Sequence, residues 1–292
     1  MNSEQFLGWL ERKSQPPSSI VFEKPLIMGV LNVTANSFYD GGKYLSVDRA
    51  CDQALKLIAC GADLIDIGGE STKPGAPPVP LDVELSRVLP VIKQLRAIAD
   101  VCISIDTNKP EVMEAAIDAG ANVINDVYAL RRDGALNVAA QLDVPVCLMH
   151  MRGEPRTMQE NPSYPEGIIK ELQHFFEERI DKCQKAGLNK NKLILDPGFG
   201  FGKRVKDNLK LIYYLNELRS FGLPILLGVS RKSTIGAVLN NEVEQRLIGS
   251  ITLGIYAALK GTAIIRTHDV DETNQALTMI SAIYQAAKEI SY

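Results

Sequence analysis

The sequence predicts an α/β protein, a single (β/α)8 TIM barrel with a short N-terminal extension, on three observations. Eight short apolar runs alternate with amphipathic stretches of helical spacing along the 292 residues. Each run is apolar at nearly every position, as expected for strands buried on both faces of a parallel sheet. No linker or change of composition divides the chain, whose length suits one barrel of about 250 residues. A doubly wound open sheet is the alternative.

The predicted strands are runs of four to seven residues rich in Val, Ile and Leu. Such runs fit strands buried within a parallel sheet. In chain order they are LIMGVL (26–31), ADLIDI (62–67), VCISID (101–106), ANVIND (121–126), VPVCLMH (144–150), KLILD (192–196), PILLGVS (224–230) and TAIIRTH (262–268).

The predicted helices lie between these strands. In the first, Ala50, Ala54, Leu57 and Ile58 share one face, and Gly61 ends the helix. Helical spacing recurs in DVELSRVLPVIKQLRAIA, KPEVMEAAIDAG, GALNVAAQL, PEGIIKELQHFFEERIDKCQKAG, DNLKLIYYLNELRS, EVEQRLIGSITLGIYAALKG and DVDETNQALTMISAIYQAAKEI. Residues 25–292 therefore form the predicted barrel domain. Residues 1–24 form an extension, a short helix or frayed lead-in that ends at two prolines.

Composition and charge exclude several classes of function. The chain is 46% hydrophobic and 23% charged, with a formal net charge of −3, and no Lys/Arg-rich block predicts binding to nucleic acid or to a membrane surface. No apolar run approaches the roughly 20 residues of a membrane span, and the N-terminus does not resemble a secretory signal. The five scattered cysteines predict neither disulfides nor a zinc site. A reducing, cytoplasmic location is therefore expected.

Polar residues follow every predicted strand, whereas plain Gly, Leu or Pro turns precede most of them. In a TIM barrel the chemistry lies on the loops at the carboxyl ends of the strands. These positions therefore predict the active site. They carry, in order, Asn32-Val33-Thr34, GGESTKPG (68–75), Asp106, Asn125-Asp126, His150, DPGFGFGK (196–203), SRKS (230–233) and Arg266 with His268.

Several of these residues also have a structural interpretation. Asp106 could cap the helix that opens near Pro110, Asn125 and Asp126 could be turn residues, and His150 could be a buried hydrogen-bonding group. His174 lies in the middle of a predicted helix and is expected to be exposed.

Other strand-end residues favour a ligand site. Arg266 and His268 lie two residues apart at a strand end and should project the same way, which favours an anion site. GFGFGK lacks the Walker spacing, so its glycines are better explained as allowing Asp196 and Phe201 to approach a ligand closely. Lys232 and the backbone N–H groups of SRKS could also meet an acceptor.

No pattern of a zinc enzyme is present. HExxH is absent, and the chain has only three histidines. A Mg²⁺ ion held by one side-chain oxygen and substrate phosphates would leave almost no trace in the sequence. Asn32 is the candidate ligand for such an ion.

Taken together, the motifs resemble those of the dihydropteroate synthases. In order they are GVLNVT-x-x-SF-x-DGG, GGEST-K-PG, SIDT-x-KP, INDV, CLMHM-x-G-x-P-x-TMQ, LDPGFGFGK, SRKS and IIRTHDV, and the likeness runs from about Leu26 to Ile290. The resemblance implies a TIM-barrel enzyme, usually a homodimer in bacteria. The implied reaction joins 6-hydroxymethyl-7,8-dihydropterin diphosphate to 4-aminobenzoate, giving dihydropteroate and pyrophosphate. Sulfonamides compete with the aminobenzoate.

The resemblance also implies roles for individual residues. The implied pterin site contains Asp106, Asn125, Met149, Asp196, Phe201, Gly228 and Lys232, and the implied diphosphate site contains Asn32, Thr72, Lys73, Arg266 and His268, with Mg²⁺ at Asn32. The implied aminobenzoate site contains Thr72, Lys73, Phe201, Lys232 and Ser233. The implied catalytic residues are Asp106, Asp196, Lys232, Arg266 and His268.

The chain departs from the family pattern in two loops. Ala35 and Asn36 stand where the family usually has Pro-Asp, and Lys73 stands where it usually has Arg. The stretch NVTANSFYDGG is expected to be a closing loop with a hinge at Gly41-Gly42, whose ordering or kinetics these changes would alter. Two alternatives stay open. One is a pterin-dependent methyltransferase barrel, which would not need Arg266, His268 or Lys232 for pyrophosphate, and the other is a pterin carrier without enzyme activity.

Overall fold

Eight parallel strands form the sheet in a computed structural model, which describes residues 1–14, 22–34, 43–72, 75–153, 157–160 and 162–289. The neighbour order is β6-β5-β4-β3-β2-β1-β8-β7, and a parallel bridge between Leu195 and Ile225 joins the two remaining edges. The predicted TIM barrel is therefore confirmed, and the open sheet is excluded. The strands are β1 (Leu26–Asn32), β2 (Leu64–Gly68), β3 (Cys102–Asp106), β4 (Val123–Asp126), β5 (Val146–Met149), β6 (Leu193–Asp196), β7 (Leu226–Gly228) and β8 (Ile264–Thr267).

Helices connect the strands, as the spacing of apolar residues predicts. The described α-helices are α1 (Ser3–Lys13), α2 (Lys43–Ala59), α3 (Leu81–Ile98), α4 (Pro110–Asp118), α5 (Ala135–Leu142), α6 (Ile168–Lys185), α7 (Val205–Tyr213), α8 (Ser233–Leu239), α9 (Leu247–Leu259) and α10 (Val270–Glu289). Short 3₁₀ helices cover Lys190–Lys192, Leu215–Phe221 and Val243–Gln245. No helix of the described ranges combines the length and apolar character that a membrane crossing requires.

The strand register brings the predicted polar residues to one end of the barrel. Asn32 lies opposite Gly68 on β2, Gly68 lies opposite Asp106 on β3, and Asp106 lies opposite Asn125 on β4. On the other side of the barrel, Met149 pairs with Asp196 and Gly228 pairs with Arg266. Because all strands are parallel, these pairs share the carboxyl-terminal mouth.

The opposite end of the barrel is closed by the N-terminal extension, which forms helix α1. Asn2 and Gln5 make a reciprocal capping box at its start. Phe6, Trp9 and Leu10 pack in one buried cluster with residues from the lower ends of the strands. Of the two structures expected for this segment, a short helix or a frayed lead-in, residues 3–13 adopt the helix.

Removing the Phe6 side chain is expected to destabilise the protein by about 3–5 kcal/mol, because a large-to-small change in a packed core loses contacts and leaves a cavity. Phe6 is 1% exposed, whereas its neighbour Leu7 is 38% exposed. Urea unfolding of Phe6→Ala and of the control Leu7→Ala measures the difference. Equal urea midpoints for the two variants would contradict the packing of α1 against the lower ends of the strands.

Candidate active site

The centre of the carboxyl-terminal mouth is an ion-paired cluster around Arg266 of β8. The Arg266 Nε atom donates to Asp66 Oδ2 at 2.7 Å, and its Nη2 atom donates to Asp106 Oδ2 at 2.8 Å. Asn125 Nδ2 also donates to Asp66 Oδ2, at 3.1 Å. One guanidinium therefore joins strands β2, β3 and β8 through charge-assisted hydrogen bonds.

Two carboxylate oxygens in this cluster have no protein donor. Asp66 Oδ1 and Asp106 Oδ1 are buried and accept no hydrogen bond within the described parts of the chain. Leaving such acceptors unpaired away from water is costly. The cluster therefore suits a ligand that brings N–H donors into the barrel mouth.

The second acidic group of the site is Asp196, at the end of β6. Its Oδ1 atom accepts from the backbone N–H of Gly198 at 2.7 Å. Burial raises the pKa of Asp196 to about 6, although the Gly198 hydrogen bond and the nearby Lys232 oppose this. Burial likewise raises the pKa of Asp106 to about 7, and there Arg266 opposes the shift. For Arg266, whose burial alone lowers its pKa, the two carboxylates raise the pKa above its ordinary value.

An apolar wall lies beside these charges. Phe201 and Met149 belong to one buried cluster with Val127, Met151 and Met158. The Lys232 ammonium lies 3.9 Å from the centroid of the Phe201 ring, a cation–π contact. Burial lowers the pKa of Lys232 to about 8. A flat, polar-edged ligand could stack on this wall while its edge meets the carboxylates.

Glycines shape the loop that follows β6, as the GFGFGK motif predicts. Gly198, Gly200 and Gly202 all have positive φ, at 66°, 84° and 62°. A Cβ atom on Gly198 would lie 1.9 Å from the carbonyl oxygen of His150, so no other residue fits there. The glycines therefore let the loop backbone pass close to His150 between Asp196 and Phe201.

The rim of the mouth carries the groups predicted to meet a diphosphate and the aminobenzoate. Thr72 is half-buried and Ser233 is exposed at the start of α8. His268 is exposed on one side, while its Nδ1 atom lies 3.0 Å from Ser230 Oγ. Partial burial and the positive charge of Arg266 lower the pKa of His268 to about 4, so without an anion its imidazole is neutral at pH 7. The predictions for Ala35, Asn36, Gly41-Gly42 and Lys73 concern residues outside the described ranges.

A Mg²⁺ ion could be held at the end of β1. Asn32 is half-buried there, and its side chain makes no hydrogen bond to a described residue. In the described ranges, no group of three or more His, Cys, Asp and Glu residues could hold a metal. A single amide oxygen fits a hard ion whose other ligands are phosphate oxygens and water.

The structure bears on the structural interpretations of Asp106, Asp126 and His150 and on the expected exposure of His174. The residue that caps α4 is Lys109, not Asp106. Asp126 is a turn residue, since its carboxylate accepts from the backbone N–H groups of Tyr128 and Leu130 at 2.8 and 2.7 Å. His150 is buried against Lys203, which supports its structural interpretation, and His174 is exposed as expected.

Some residues at the mouth were not predicted from the sequence. Asp66 lies inside an apolar strand run, and its lone carboxylate was the one sign in the sequence that this position has a role beyond packing.

A second buried cluster anchors the loop after β2, because the Lys109 ammonium contacts the carboxylates of Glu70 and Glu84. Thr107 Oγ1 donates to Glu84 at 2.6 Å. This anchor holds the base of the segment that carries Thr72.

Comparison with known proteins identifies relatives over nearly the whole chain. The family described as pterin binding enzyme matches residues 28–268. The dihydropteroate synthase of Escherichia coli (strain K12) is 46% identical over 275 residues, which cover 94% of this chain and 97% of the relative. The Yersinia pestis dihydropteroate synthase, solved with a sulfonamide drug complex, has a TM-score of 0.85 and 47% identity, covering 90% of this chain and 95% of that one. The Xanthomonas albilineans dihydropteroate synthase in complex with 7,8-dihydropteroate has a TM-score of 0.81 and 45% identity, with the same coverage.

Proposed function

Because the chain belongs to the dihydropteroate synthase family of pterin-binding enzymes, we propose that it performs the synthase reaction. It joins 6-hydroxymethyl-7,8-dihydropterin diphosphate to 4-aminobenzoate and yields 7,8-dihydropteroate and pyrophosphate. The observation that carries this assignment is the pair of buried, donor-free oxygens on Asp66 and Asp106. They lie next to Asn125 and Arg266, and a pterin edge supplies the missing donors.

The pterin edge alternates N–H donors with nitrogen and oxygen acceptors, and so does the site. Asp106 and Asp196 accept from the pterin N–H and amino groups, while Asn125 and Lys232 supply donors. The ring plane packs on Phe201 and Met149, the apolar wall described above. The cost of burying these polar groups is thereby offset by hydrogen bonds that form only with the ligand.

The reaction begins when the bond between the pterin methylene carbon and the diphosphate oxygen breaks. Its electron pair leaves with pyrophosphate, and the carbon becomes part of a cation delocalised into the pterin ring. Asp196 is positioned to stabilise this cation. Arg266 and His268 meet the departing pyrophosphate. The Nη1 atom of Arg266 makes no hydrogen bond to a described residue, so its N–H groups remain for this ligand. Most of the rate enhancement is then electrostatic preorganisation.

The carbon–nitrogen bond forms in the second step. The amine lone pair of 4-aminobenzoate attacks the electrophilic methylene carbon, and the nitrogen then gives one proton to water. The proposal assigns Thr72, Lys73 and Ser233 to the aminobenzoate site, together with Phe201 and Lys232. When bound at Asn32, Mg²⁺ supplies positive charge that neutralises the diphosphate. The proposal needs no covalent enzyme intermediate.

A pyrophosphate-release assay tests the function against its alternatives. We expect pyrophosphate release that requires the pterin diphosphate, 4-aminobenzoate and Mg²⁺ together, and competition between a sulfonamide and the aminobenzoate. A pterin-dependent methyltransferase would instead transfer a methyl group from a methylated folate. Tight pterin binding without pyrophosphate release would contradict the synthase assignment and favour a carrier.

Pterin affinity is expected to increase as the pH rises from about 5 to about 7.5. Burial raises the pKa of Asp196 to about 6 and that of Asp106 to about 7, and only the ionised carboxylates accept hydrogen bonds from the pterin N–H groups. Below its pKa, a carboxyl group must release a proton before it can accept from the pterin. For one released proton, Kd therefore rises by about tenfold for each unit by which the pH falls. Fluorescence titration with a pterin at several pH values measures this. Tighter binding at pH 5 than at pH 7.5 would refute it.

We also propose that the enzyme is a cytoplasmic homodimer that uses α9 and α10. Ile248, Met279 and Ile283 on these helices are 73%, 65% and 60% exposed in the single chain, and apolar groups this exposed mark an association surface. Light scattering of Ile248→Asp and Met279→Glu should show monomers, while the wild-type chain is a dimer. A monomeric wild-type chain would contradict the homodimer. The five cysteines are free, which supports a reducing compartment.

A further inference from the structure

A buried ammonium group lies beneath the apolar wall of the pterin site. Lys203 is 3% exposed. Its Nζ atom contacts His150 Nδ1 at 2.9 Å and the carbonyl oxygens of Gly198, Phe201 and His150 at 2.8, 3.1 and 3.3 Å. In the proposed mechanism this lysine touches neither substrate nor reacting atoms. Its contacts therefore require another explanation.

The contacts define the protonation of both side chains. The three carbonyl oxygens are acceptors, so the Lys203 amine must supply the protons. Burial lowers the pKa of His150 to about 3, so the neutral ring offers its Nδ1 lone pair to Lys203. Its Nε2–H then faces Glu171 Oε1, 3.7 Å away. Burial lowers the pKa of Lys203 to about 7, although Asp196 opposes this.

The four acceptors belong to two loops that carry pterin contacts. Gly198 and Phe201 lie in the loop that follows Asp196, the last residue of β6. His150 directly follows Met149, the last residue of β5. One ammonium group therefore ties the β6 loop to the end of β5. Removing it would take away the donor to the buried carbonyl oxygens of Phe201 and His150, while the Gly198 carbonyl would keep the Phe201 N–H at 3.0 Å.

Other contacts hold the rest of the same loop. The Tyr164 hydroxyl donates to the Gly202 carbonyl at 2.6 Å, and the Gly200 N–H donates to Asn208 Oδ1 at 2.8 Å. Neither contact reaches the carbonyl groups of Gly198 and Phe201. Between Asp196 and Phe201 the loop makes two local hydrogen bonds, from the Gly198 N–H to Asp196 and from the Phe201 N–H to Gly198. The Lys203 ammonium joins the Gly198 and Phe201 carbonyl groups to His150 at the end of β5.

We propose that Lys203 is a positioning residue for pterin recognition. By tying the loop after β6 to His150, it holds the Phe201 ring and the Asp196 carboxylate in the geometry that binds the pterin. The proposal rests on the proposed function. It assigns to Lys203 an indirect role, because the lysine acts through the carbonyl groups of Gly198 and Phe201 and through its positive charge near Asp196.

The first test compares Lys203→Met with Lys206→Met. Methionine keeps the length of the side chain but lacks the ammonium group, and Lys206 is an exposed lysine of the same segment, at the start of α7. We expect Lys203→Met to raise the Kd for the pterin diphosphate by about tenfold or more. Its Kd for Mg²⁺-pyrophosphate, which does not use the loop, should stay within about twofold of the wild type. For Lys206→Met both constants should stay within about twofold.

The pH dependence of pterin binding distinguishes the effect of the Lys203 charge from the effect of its packing. The cations that face Asp196 are Lys203, Lys232 and Arg266; the carboxylates that face Lys203 are Asp196, Glu171 and Asp207. Without the positive charge of Lys203, the pKa of Asp196 should rise, so pterin binding should begin to weaken at a higher pH than in the wild type. A packing defect alone would not cause this shift. The proposal would be overturned if folded Lys203→Met bound the pterin with an unchanged Kd and if its binding weakened at the same pH as in the wild type.

A second pair of variants keeps the proposal testable if Lys203→Met does not fold. His150→Asn retains an acceptor near the position of Nδ1, whereas His150→Leu removes it. We expect pterin Kd near the wild-type value for the asparagine variant and about tenfold weaker binding for the leucine variant. Equal Kd values in the two folded variants would overturn the proposal. If the wild-type chain binds the pterin but releases no pyrophosphate, the proposed function fails, and these Kd comparisons still test the role of Lys203.

Discussion

Replacing Asp196 by Asn is expected to lower kcat/KM for the pterin diphosphate by about 10²–10³-fold, the usual effect of removing one preorganised electrostatic group. Asparagine has the same shape but no negative charge. It presents an amide NH₂ group where the pterin brings its own N–H donors. It also cannot stabilise the pterin cation that forms when pyrophosphate leaves. The effect should therefore appear in kcat as well as in the affinity for the pterin.

Asp126→Asn is the matched control for this variant. Asp126 is also a buried carboxylate, and burial raises its pKa to about 6 as well. It accepts from backbone N–H groups of its own turn, so its replacement should lower the thermal midpoint and change kcat/KM by less than about tenfold. Full turnover by Asp196→Asn would remove the role assigned to that carboxylate.

Removing the Arg266 guanidinium is expected to lower both the stability and the activity of the protein. In Arg266→Met the carboxylates of Asp66 and Asp106 lose their common partner, and an uncompensated buried charge costs about 3–5 kcal/mol. Activity should be abolished, because the pterin and pyrophosphate sites both lose a group. Urea unfolding, with turnover measured on the folded fraction, tests both statements.

The stability of Arg266→Met is expected to depend on pH, because the variant leaves the neighbouring carboxylates of Asp66 and Asp106 without a cation between them. Burial already raises the pKa of Asp106 to about 7 with Arg266 present, and loss of the cation raises it further. The stability from a protonated carboxyl is present at low pH and is lost as the pH rises through the folded-state pKa. The variant should therefore lose more stability at about pH 8 than at about pH 5.

The double variant Arg266→Met/Asp66→Asn provides the control. Neutralising Asp66 removes one uncompensated charge, so part of the lost stability should return while the enzyme stays inactive. A single Arg266→Met variant as stable as the wild type at pH 8 would show that the ion-paired cluster does not form. No rescue by Asp66→Asn would show that Asp66 is not the partner of Arg266.

The barrel and much of the mouth could be predicted from the sequence because both depend on local patterns. Buried parallel strands are marked by continuous apolar runs, and each run ends at a polar residue such as Asp106 or Asp196. A loop with three glycines at positive φ also has a strong local signature. These signals require no knowledge of which residues meet in space.

The pairing of side chains could not be predicted in this way. Arg266 and Asp66 are 200 residues apart in the chain, and their contact exists only because β8 and β2 flank β1. Arg266 was expected beside His268 in an anion site, whereas its guanidinium is also paired with the carboxylates of Asp66 and Asp106. Lys203 was read as the end of a glycine motif, since burial of its ammonium depends on the fold.

The central claim is that the site stabilises a pterin cation, so that the carbon–oxygen bond breaks before the amine attacks. Single-turnover quench experiments with saturating ring-substituted 4-aminobenzoates of different basicity test this directly, with pyrophosphate and the condensed product measured together. The account predicts one rate constant for pyrophosphate formation whatever the amine, with the two products formed in equal amounts. A rate constant that rises with the basicity of the amine would contradict it, because the amine would then take part in breaking the bond.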